Sequence, residues 1–198
     1  MRIAIVSSGL GHVARGIEVW AATLAEALVR RKCEVTLFKG SGTCTRTHEK
    51  VIKGLPRGSG LNRWLTAICS RIGGWRYGFG SEYQTEQTAF APGLIKALQA
   101  GHYDIVHLQD PWLAMLLERA RARNKHRTRV ILAHGTEEDI AWLTRFPHVQ
   151  ELSPHYMQRH KASWPAGFTR HAIPNFVDVA SFMPGDRQKS RAALGLPP

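Results

Sequence analysis

The sequence predicts an α/β fold, a Rossmann-like doubly wound sheet of parallel strands. Two observations lead to this prediction. Short apolar runs of strand length recur along the chain, and stretches with a helical spacing of apolar residues lie between them. The first run, residues 2–7, holds four consecutive apolar residues and ends before Gly9, as expected of a strand buried on both faces. Strands that alternate with helices predict a parallel sheet that helices cover on both faces.

The remaining elements follow in order along the chain. Residues 16–31 have the apolar spacing of a helix and end near three cations, which a helix C-terminus favours. Pro111 and Pro154 each stand at the first position of a predicted helix, with Asp110 and Ser153 just before them as N-cap candidates. Further strands are predicted at residues 34–38, 104–108, 129–133 and 149–152, and further helices near 87–100, at 111–123 and after residue 153.

Composition indicates one globular domain from a reducing compartment. The chain has 198 residues, of which 43% are hydrophobic and 21% charged, as is usual for soluble folds. No apolar run approaches the ~20 residues of a membrane-spanning helix, and the first residues lack the pattern of a signal peptide. The three cysteines have no C-x-x-C spacing, which favours free thiols over a disulfide or a metal site. We therefore expect a cytoplasmic protein.

The charge is unusual for a domain of this size. The formal net charge is +12 and the pI is about 10.3, so the surface attracts polyanions such as nucleic acid, anionic lipid or phosphate-rich substrates. Residues 46–76 carry seven cations against one acid, Glu49, and residues 119–129 carry six cations and no acid. No motif would place a helix or strand in a groove of DNA or RNA, so no specific nucleic-acid binding is predicted.

A glycine-rich turn follows the first predicted strand. Gly9 and Gly11 begin a G-x-G-x-x-A pattern, a permitted form of the dinucleotide fingerprint. The fingerprint also needs an acid at the end of the second strand, where this chain has Lys39, a residue suited to a 2′-phosphate. The glycines could instead bring the backbone close to an acceptor, or only make a tight turn. All three interpretations remain open at this point.

Three passages of the chain resemble one enzyme family. They are Gly16-Ile17-Glu18 at the start of a helix, His134-Gly135 at a strand end, and Ile-Pro-Asn-Phe-Val-Asp at residues 173–178. Together they resemble the N-terminal half of GT-B glycosyltransferases, and most closely the retaining enzymes of family four. The resemblance covers nearly the whole chain, except residues from about 40 to 88.

The resemblance implies roles for particular residues. His134 would lie beside the reacting sugar as the catalytic residue, although a histidine that caps a turn is the alternative. Arg15 replaces the first glycine of the family's Gly-Gly-x-Glu motif, which suits an anionic acceptor. Asp110 is either an acceptor contact or a helix N-cap. The residues expected to contact the acceptor are Gly9, Gly11, His12, Arg15, Gly16, Glu18, Asp110 and Gly135. No metal site is predicted, because no histidines show ligand spacing.

Residues 55–83 combine apolar and basic side chains. Leu61, Trp64, Leu65, Ile68 and Ile72 fall on one face of a predicted helix. Such a face either packs on the core or rests on anionic lipid, as basic amphipathic segments with tryptophan do. In the second case the membrane contacts would be Arg57, Arg63, Trp64 and Arg71, on the inner face of a membrane.

The resemblance also implies domain organisation and activity. Residues 1–178 would form the acceptor-binding domain, and residues 179–198 a linker to a C-terminal donor-binding domain absent from this chain. The full enzyme would transfer a hexose from a nucleotide-diphosphate sugar to a sugar or a lipid-linked hydroxyl acceptor, with retention. No further cofactor is expected, and the chain by itself is expected to be inactive. The alternatives are an NAD(P)-binding oxidoreductase domain and a non-catalytic polyanion-binding module.

Overall fold

A computed structural model describes residues 1–135, 138–177 and 185–197. In these residues a seven-stranded sheet has the strand order β3-β2-β1-β4-β5-β6-β7, and every neighbouring pair of strands is parallel. The strands are β1 (Arg2–Ser7), β2 (Glu34–Lys39), β3 (Glu49–Val51), β4 (Ile105–Leu108), β5 (Arg129–His134), β6 (His148–Glu151) and β7 (Thr169–Ala172).

Helices connect most of these strands and cover the sheet. The α-helices are α1 (Gly16–Arg30), α2 (Gly60–Arg71), α3 (Glu82–Gly101), α4 (Pro111–Ala122), α5 (Ile140–Leu143), α6 (Pro154–His160) and α7 (Arg187–Ala193). A 3₁₀ turn, Gly74–Tyr77, lies between α2 and α3. No helix within the described ranges is both long enough and apolar enough to cross a membrane.

The core confirms the doubly wound arrangement. Successive residues of β1 point to opposite faces of the sheet. Ala4 and Val6 pack into a cluster with the apolar faces of α3 and α4, whereas Ile3 and Ile5 pack with Trp20 of α1. All four β1 side chains are buried. The predicted Rossmann-like α/β class is therefore confirmed.

Five of the seven strands lie within about two residues of the bounds that the sequence predicts. The two that the sequence did not indicate, β3 and β7, are three- and four-residue strands at the edges of the sheet. Both lack an apolar run, because an edge strand is less buried than a central one. Helix α3 begins five residues earlier than predicted, where the hydroxyl of Ser81 accepts a hydrogen bond from the N–H of Gln84.

The apolar face of α2 points away from the core, so the core-packing interpretation is wrong. Leu61, Trp64, Ile68 and Ile72 are 57%, 61%, 44% and 79% exposed. The inner side of the helix is polar. Asn62 is its buried residue, and the side-chain amide of Asn62 donates to the carbonyls of Leu55 and Glu82. Polar contacts with α3 therefore hold α2 in place and leave its apolar residues on the surface.

The predicted boundary at residue 178 lies outside the described residues and stays a prediction. Within the stretch predicted as a linker, residues 187–193 form α7, whose side chains are not buried. The carboxylate of Asp186 accepts hydrogen bonds from the N–H groups of Gln188 and Lys189, which caps this short helix.

Candidate acceptor site

A cavity of about 650 Å³ opens where β4, β5 and β6 end. Ligands of doubly wound domains bind at this edge of the sheet, outside the carboxyl ends of the strands. The first residues of α1, α3 and α4, two residues before and in α5, and Asn175 after β7 also line the cavity. Its polar side chains and glycines are Arg15, Gly16, Tyr83, Gln109, His134, Gly135, Glu138, Ser153 and Asn175.

His134 lies in the wall of this cavity, at the strand end that the sequence predicted. It is the last residue of β5 and is only 4% exposed. Its carbonyl accepts a hydrogen bond from the N–H of Leu152 over 2.8 Å, and its ring lies 6.2 Å from that of Tyr156. Gly135 follows in the same wall. An imidazole in this position can hydrogen-bond a hydroxyl group of a ligand in the cavity.

The glycines of the first turn serve different purposes. A Cβ on Gly9 would lie 2.3 Å from Oε1 of Glu18, and a Cβ on Gly11 would lie 2.1 Å from the carbonyl oxygen of Ser41. Gly11 also has a φ of +104°, which side-chain-bearing residues rarely adopt. Gly9 and Gly11 therefore permit close packing within the protein. Gly16 is different, because a Cβ there would meet no atom within 4 Å and the residue lines the cavity.

Beneath the glycine-rich turn lies a buried ionic cluster that the sequence did not indicate. Glu86 of α3 is its centre. Its carboxylate accepts hydrogen bonds from the hydroxyl of Ser8 at 3.0 Å and from the backbone N–H and the guanidinium of Arg57 at 2.8 and 3.1 Å. It also contacts Nε2 of His12 at 2.7 Å. Burial raises the pKa of Glu86, but the bonds from His12 and Arg57 outweigh it, so the net shift is downward.

His12 and Glu18 belong to this cluster rather than to the cavity wall. The second ring nitrogen of His12 contacts the hydroxyl of Ser41 at 3.1 Å. Glu18 is 2% exposed, with Oε1 at 3.7 Å from the guanidinium of Arg57. Its other oxygen has no hydrogen-bond partner among the described residues. Burial raises the pKa of Glu18, and the nearby carboxylate of Glu86 adds to the rise. Neither residue is placed to touch an acceptor in the cavity.

Arg57 does not belong to an exposed basic surface, which corrects its prediction as a membrane contact. Its side chain is 15% exposed, pairs with Glu86 and Glu18, and lies over the ring of Tyr83 at 4.4 Å. The partners are 29 and 39 residues away along the chain. Arg63 is exposed but lies near Glu82, with 3.9 Å between the charged atoms.

Asp110 does not line the cavity, but it binds Tyr83, which does. It is fully buried, and its carboxylate accepts hydrogen bonds from the N–H of Ser8 and the hydroxyl of Tyr83, both over 2.7 Å. Burial raises the pKa of Asp110. The residue stands at the N-cap position of α4, but its side chain makes no capping bond. The side-chain carbonyl of Gln87 accepts from the N–H of Leu113 instead. Asp110 thus positions Tyr83, which lines the cavity.

Two features weigh against the dinucleotide interpretation. The ammonium of Lys39 is already bound by the carboxylate of Glu49 at 2.8 Å and by the carbonyl of Thr43 at 2.7 Å. The backbone after β2 also packs directly against Gly11, over the turn that a pyrophosphate would need to approach. In the part of the chain that the structure describes, no group of three or more histidine, cysteine or acidic side chains is arranged as a metal site.

The fold is that of one half of the GT-B glycosyltransferases. The chain superposes on sucrose-phosphate synthase from Thermosynechococcus elongatus with a TM-score of 0.59 and 16% identity, over 99% of this chain and 53% of the synthase chain. A second structure of that synthase superposes with a TM-score of 0.55 and 12% identity, over 92% of this chain and 93% of the synthase chain. The chain thus spans about half the length of the first synthase chain.

The chain belongs to Glycosyltransferase Family 4. Residues 14–181 match the model of that family. The matched range contains α1 and all strands from β2 to β7. This match confirms the resemblance that the sequence motifs indicated. No curated protein sequence matches the chain.

Proposed function

We propose that this chain is the acceptor-side half of a retaining glycosyltransferase. The whole enzyme would move a hexose from a nucleotide-diphosphate sugar to a hydroxyl group and preserve the anomeric configuration. The observation that carries this proposal is the cavity at the carboxyl ends of the strands, with His134 in its wall, in a member of Glycosyltransferase Family 4. The donor would be held mainly by the other half of the fold.

The chemistry proposed for the cavity follows from its side chains. The imidazole of His134 would hydrogen-bond a hydroxyl of the reacting sugar while positive charge develops at the anomeric carbon. The N-terminus of α1 and the guanidinium of Arg15 face the same cavity, and both favour an anion. A phosphate of the donor or an anionic group of the acceptor would suit this position. Tyr83, fixed by Asp110, would form the opposite wall.

A loss of transfer without a loss of stability would test this assignment. In a form of the enzyme that includes both halves of the fold, His134→Ala should lower turnover and leave the unfolding temperature nearly unchanged. A structural histidine would instead lose stability and keep its turnover.

We also propose that the protein is cytoplasmic. Its three cysteines are free thiols, as is usual for a protein of a reducing compartment.

We further propose that α2 rests on an anionic membrane surface, on the inner face of the membrane. The supporting observation is the outward apolar face of α2. Helix α2 contains no acid. At about 100° per residue, Arg71 lies roughly 80° from the centre of the apolar face, and Arg63 lies roughly 160° away. The contact surface is therefore Trp64, Ile68, Arg71 and Ile72, and Arg63 is not part of it.

The alternative functions make different demands on the chain. An NAD(P)-binding oxidoreductase domain would bind its cofactor at the glycine-rich turn, where Gly11 and Lys39 are already engaged by protein atoms. A non-catalytic polyanion-binding module would use the surface charge alone and would not need His134. Binding of a dinucleotide to this chain would favour the first alternative over the transferase.

A further inference from the structure

A second cavity adjoins the candidate acceptor site. Its volume is about 550 Å³, and it lies between α3, α4, α5 and the 3₁₀ turn. Tyr83, Pro111, Glu138 and Trp142 line both cavities, so the two spaces meet along one shared wall. A ligand that reaches this shared edge can therefore contact residues of both cavities. Cavities of this size accommodate small organic ligands.

The wall of the second cavity combines indole rings with guanidinium groups. The guanidinium of Arg76 lies 5.0 Å from the ring centre of Trp75, and that of Arg119 lies 5.9 Å from the ring centre of Trp112. Trp112 is held in place, because its indole N–H donates to the hydroxyl of Thr88 over 2.9 Å. A guanidinium group that packs on a fixed ring, as that of Arg119 does on Trp112, loses less freedom when it binds a ligand.

The charges of this cavity are unbalanced. Arg76, Arg119 and Arg145 line it together with one acid, Glu138. None of the three arginines forms an ion pair with a described residue. Guanidinium groups match phosphate and carboxylate with two parallel hydrogen bonds, and indole faces suit the apolar face of a sugar ring.

We propose that this second cavity binds an anionic part of the acceptor, so that the acceptor is a saccharide with a phosphate or a carboxylate group. The inference rests on the proposed function, since it takes the acceptor hydroxyl to lie in the first cavity near His134. The sugar ring would pack on Trp112 or Trp142, and the anion would bind Arg119 and Arg145. The cavity thus selects charged saccharides over neutral ones.

The test is a titration of this chain at fixed ionic strength, followed by tryptophan fluorescence, since three tryptophans line the cavity. The probes are glucose 6-phosphate, glucuronate, glucose and inorganic phosphate. At least one charged sugar should bind roughly tenfold more tightly than both glucose and inorganic phosphate. The tighter of the two charged sugars identifies the anionic group. Arg119→Ala should weaken that binding roughly tenfold, whereas Arg123→Ala, an exposed arginine just beyond α4, should not.

Three results would overturn the inference. They are equal binding of glucose and both charged sugars, binding of inorganic phosphate as tight as that of the sugars, and equal losses in Arg119→Ala and Arg123→Ala. This titration needs neither donor nor transfer. Charged-sugar binding that depends on Arg119, in an enzyme that transfers no hexose, would contradict the proposed function and not the binding site. Hexose transfer to acceptors without preference for charge would contradict only the second cavity.

Discussion

Glu86 binds Arg57 twice, through the backbone N–H at 2.8 Å and through the guanidinium at 3.1 Å. This pair joins α3 to the segment before α2, and the same carboxylate holds Ser8 and His12 of the glycine-rich turn. One buried carboxylate therefore ties the glycine-rich turn to α3 and to the segment before α2. Glu18, the second acid of the cluster, has an oxygen without a hydrogen-bond partner among the described residues.

The two acids should respond to neutralisation in opposite ways. The pKa of Glu86 is lowered in the folded protein, so its contribution to stability is present above its ordinary pKa of 4.5 and is lost as the pH falls through the folded value. Glu86→Gln should cost about 2–4 kcal/mol at neutral pH, and this cost should shrink in acid. The measurement is the urea midpoint at several pH values.

Glu18→Gln is the matched comparison. Because burial raises the pKa of Glu18, its charged form is disfavoured above that raised value, and a neutral amide removes the penalty. At neutral pH this variant should be as stable as the parent or more stable. If Glu18→Gln lost as much stability as Glu86→Gln, the assignment of Glu86 as the centre of the cluster would be wrong.

The glycines offer a second test, of the packing of the first turn. Gly11→Ala should lower stability by about 2–4 kcal/mol, because the new Cβ meets the Ser41 backbone at a φ that alanine avoids. Gly16→Ala should be neutral or stabilising by up to about 1 kcal/mol, since it begins a helix and has free space. Chemical denaturation measures the change in the free energy of unfolding of both variants. Equal losses would contradict the roles assigned to the two glycines.

The overall fold could be predicted from the sequence, but the ionic cluster could not. Apolar runs and helical spacing are local signals, and they located β1, α1 and the strand end at His134. The pairing of Arg57 with Glu86 and Glu18 depends on chain segments that only the folded sheet brings together. A basic residue in a basic stretch gives no sign of a buried partner 29 residues away.

The sequence did not determine whether the apolar face of α2 points to the core or to the surface, and the reason is a different one. A core-packed helix and a surface helix that meets another apolar phase both show an apolar face at helical spacing. The distinguishing residue is Asn62, whose buried amide binds two backbone carbonyls. In the sequence Asn62 stands among apolar residues, and nothing there indicates that the polar side of α2 faces the rest of the protein.

His134 provides the third prediction. In an enzyme with both halves of the fold, His134→Ala should lower turnover by roughly 10² or more, as for other positioned hydrogen-bonding groups. The control is His126→Ala, another buried histidine, whose Nε2 contacts the carbonyl of Leu117 at 3.1 Å far from the cavity. The control should lose stability and keep its specific activity. The reverse pattern would make His134 a structural residue.

The fourth prediction concerns the outer face of α2. The chain should sediment with vesicles that contain phosphatidylglycerol and not with vesicles of phosphatidylcholine alone, and salt should weaken the association. Arg71→Glu should reduce binding roughly tenfold or more, because it reverses a charge beside the apolar face. Arg63→Glu makes the same charge change on the other side of the helix and should have little effect. Equal binding to neutral vesicles, or equal effects of the two substitutions, would contradict the membrane surface.

The central claim is that this chain is the acceptor-side half of a glycosyltransferase, and calorimetric titration with nucleotide-diphosphate sugars tests it most directly. The chain by itself should show no saturable binding tighter than the millimolar range, about −4 kcal/mol, because the proposal assigns most of the donor contacts to the other half. A form with both halves should bind one of these donors in the micromolar range and transfer its hexose. Micromolar donor binding or glycoside formation by this chain alone would contradict the claim.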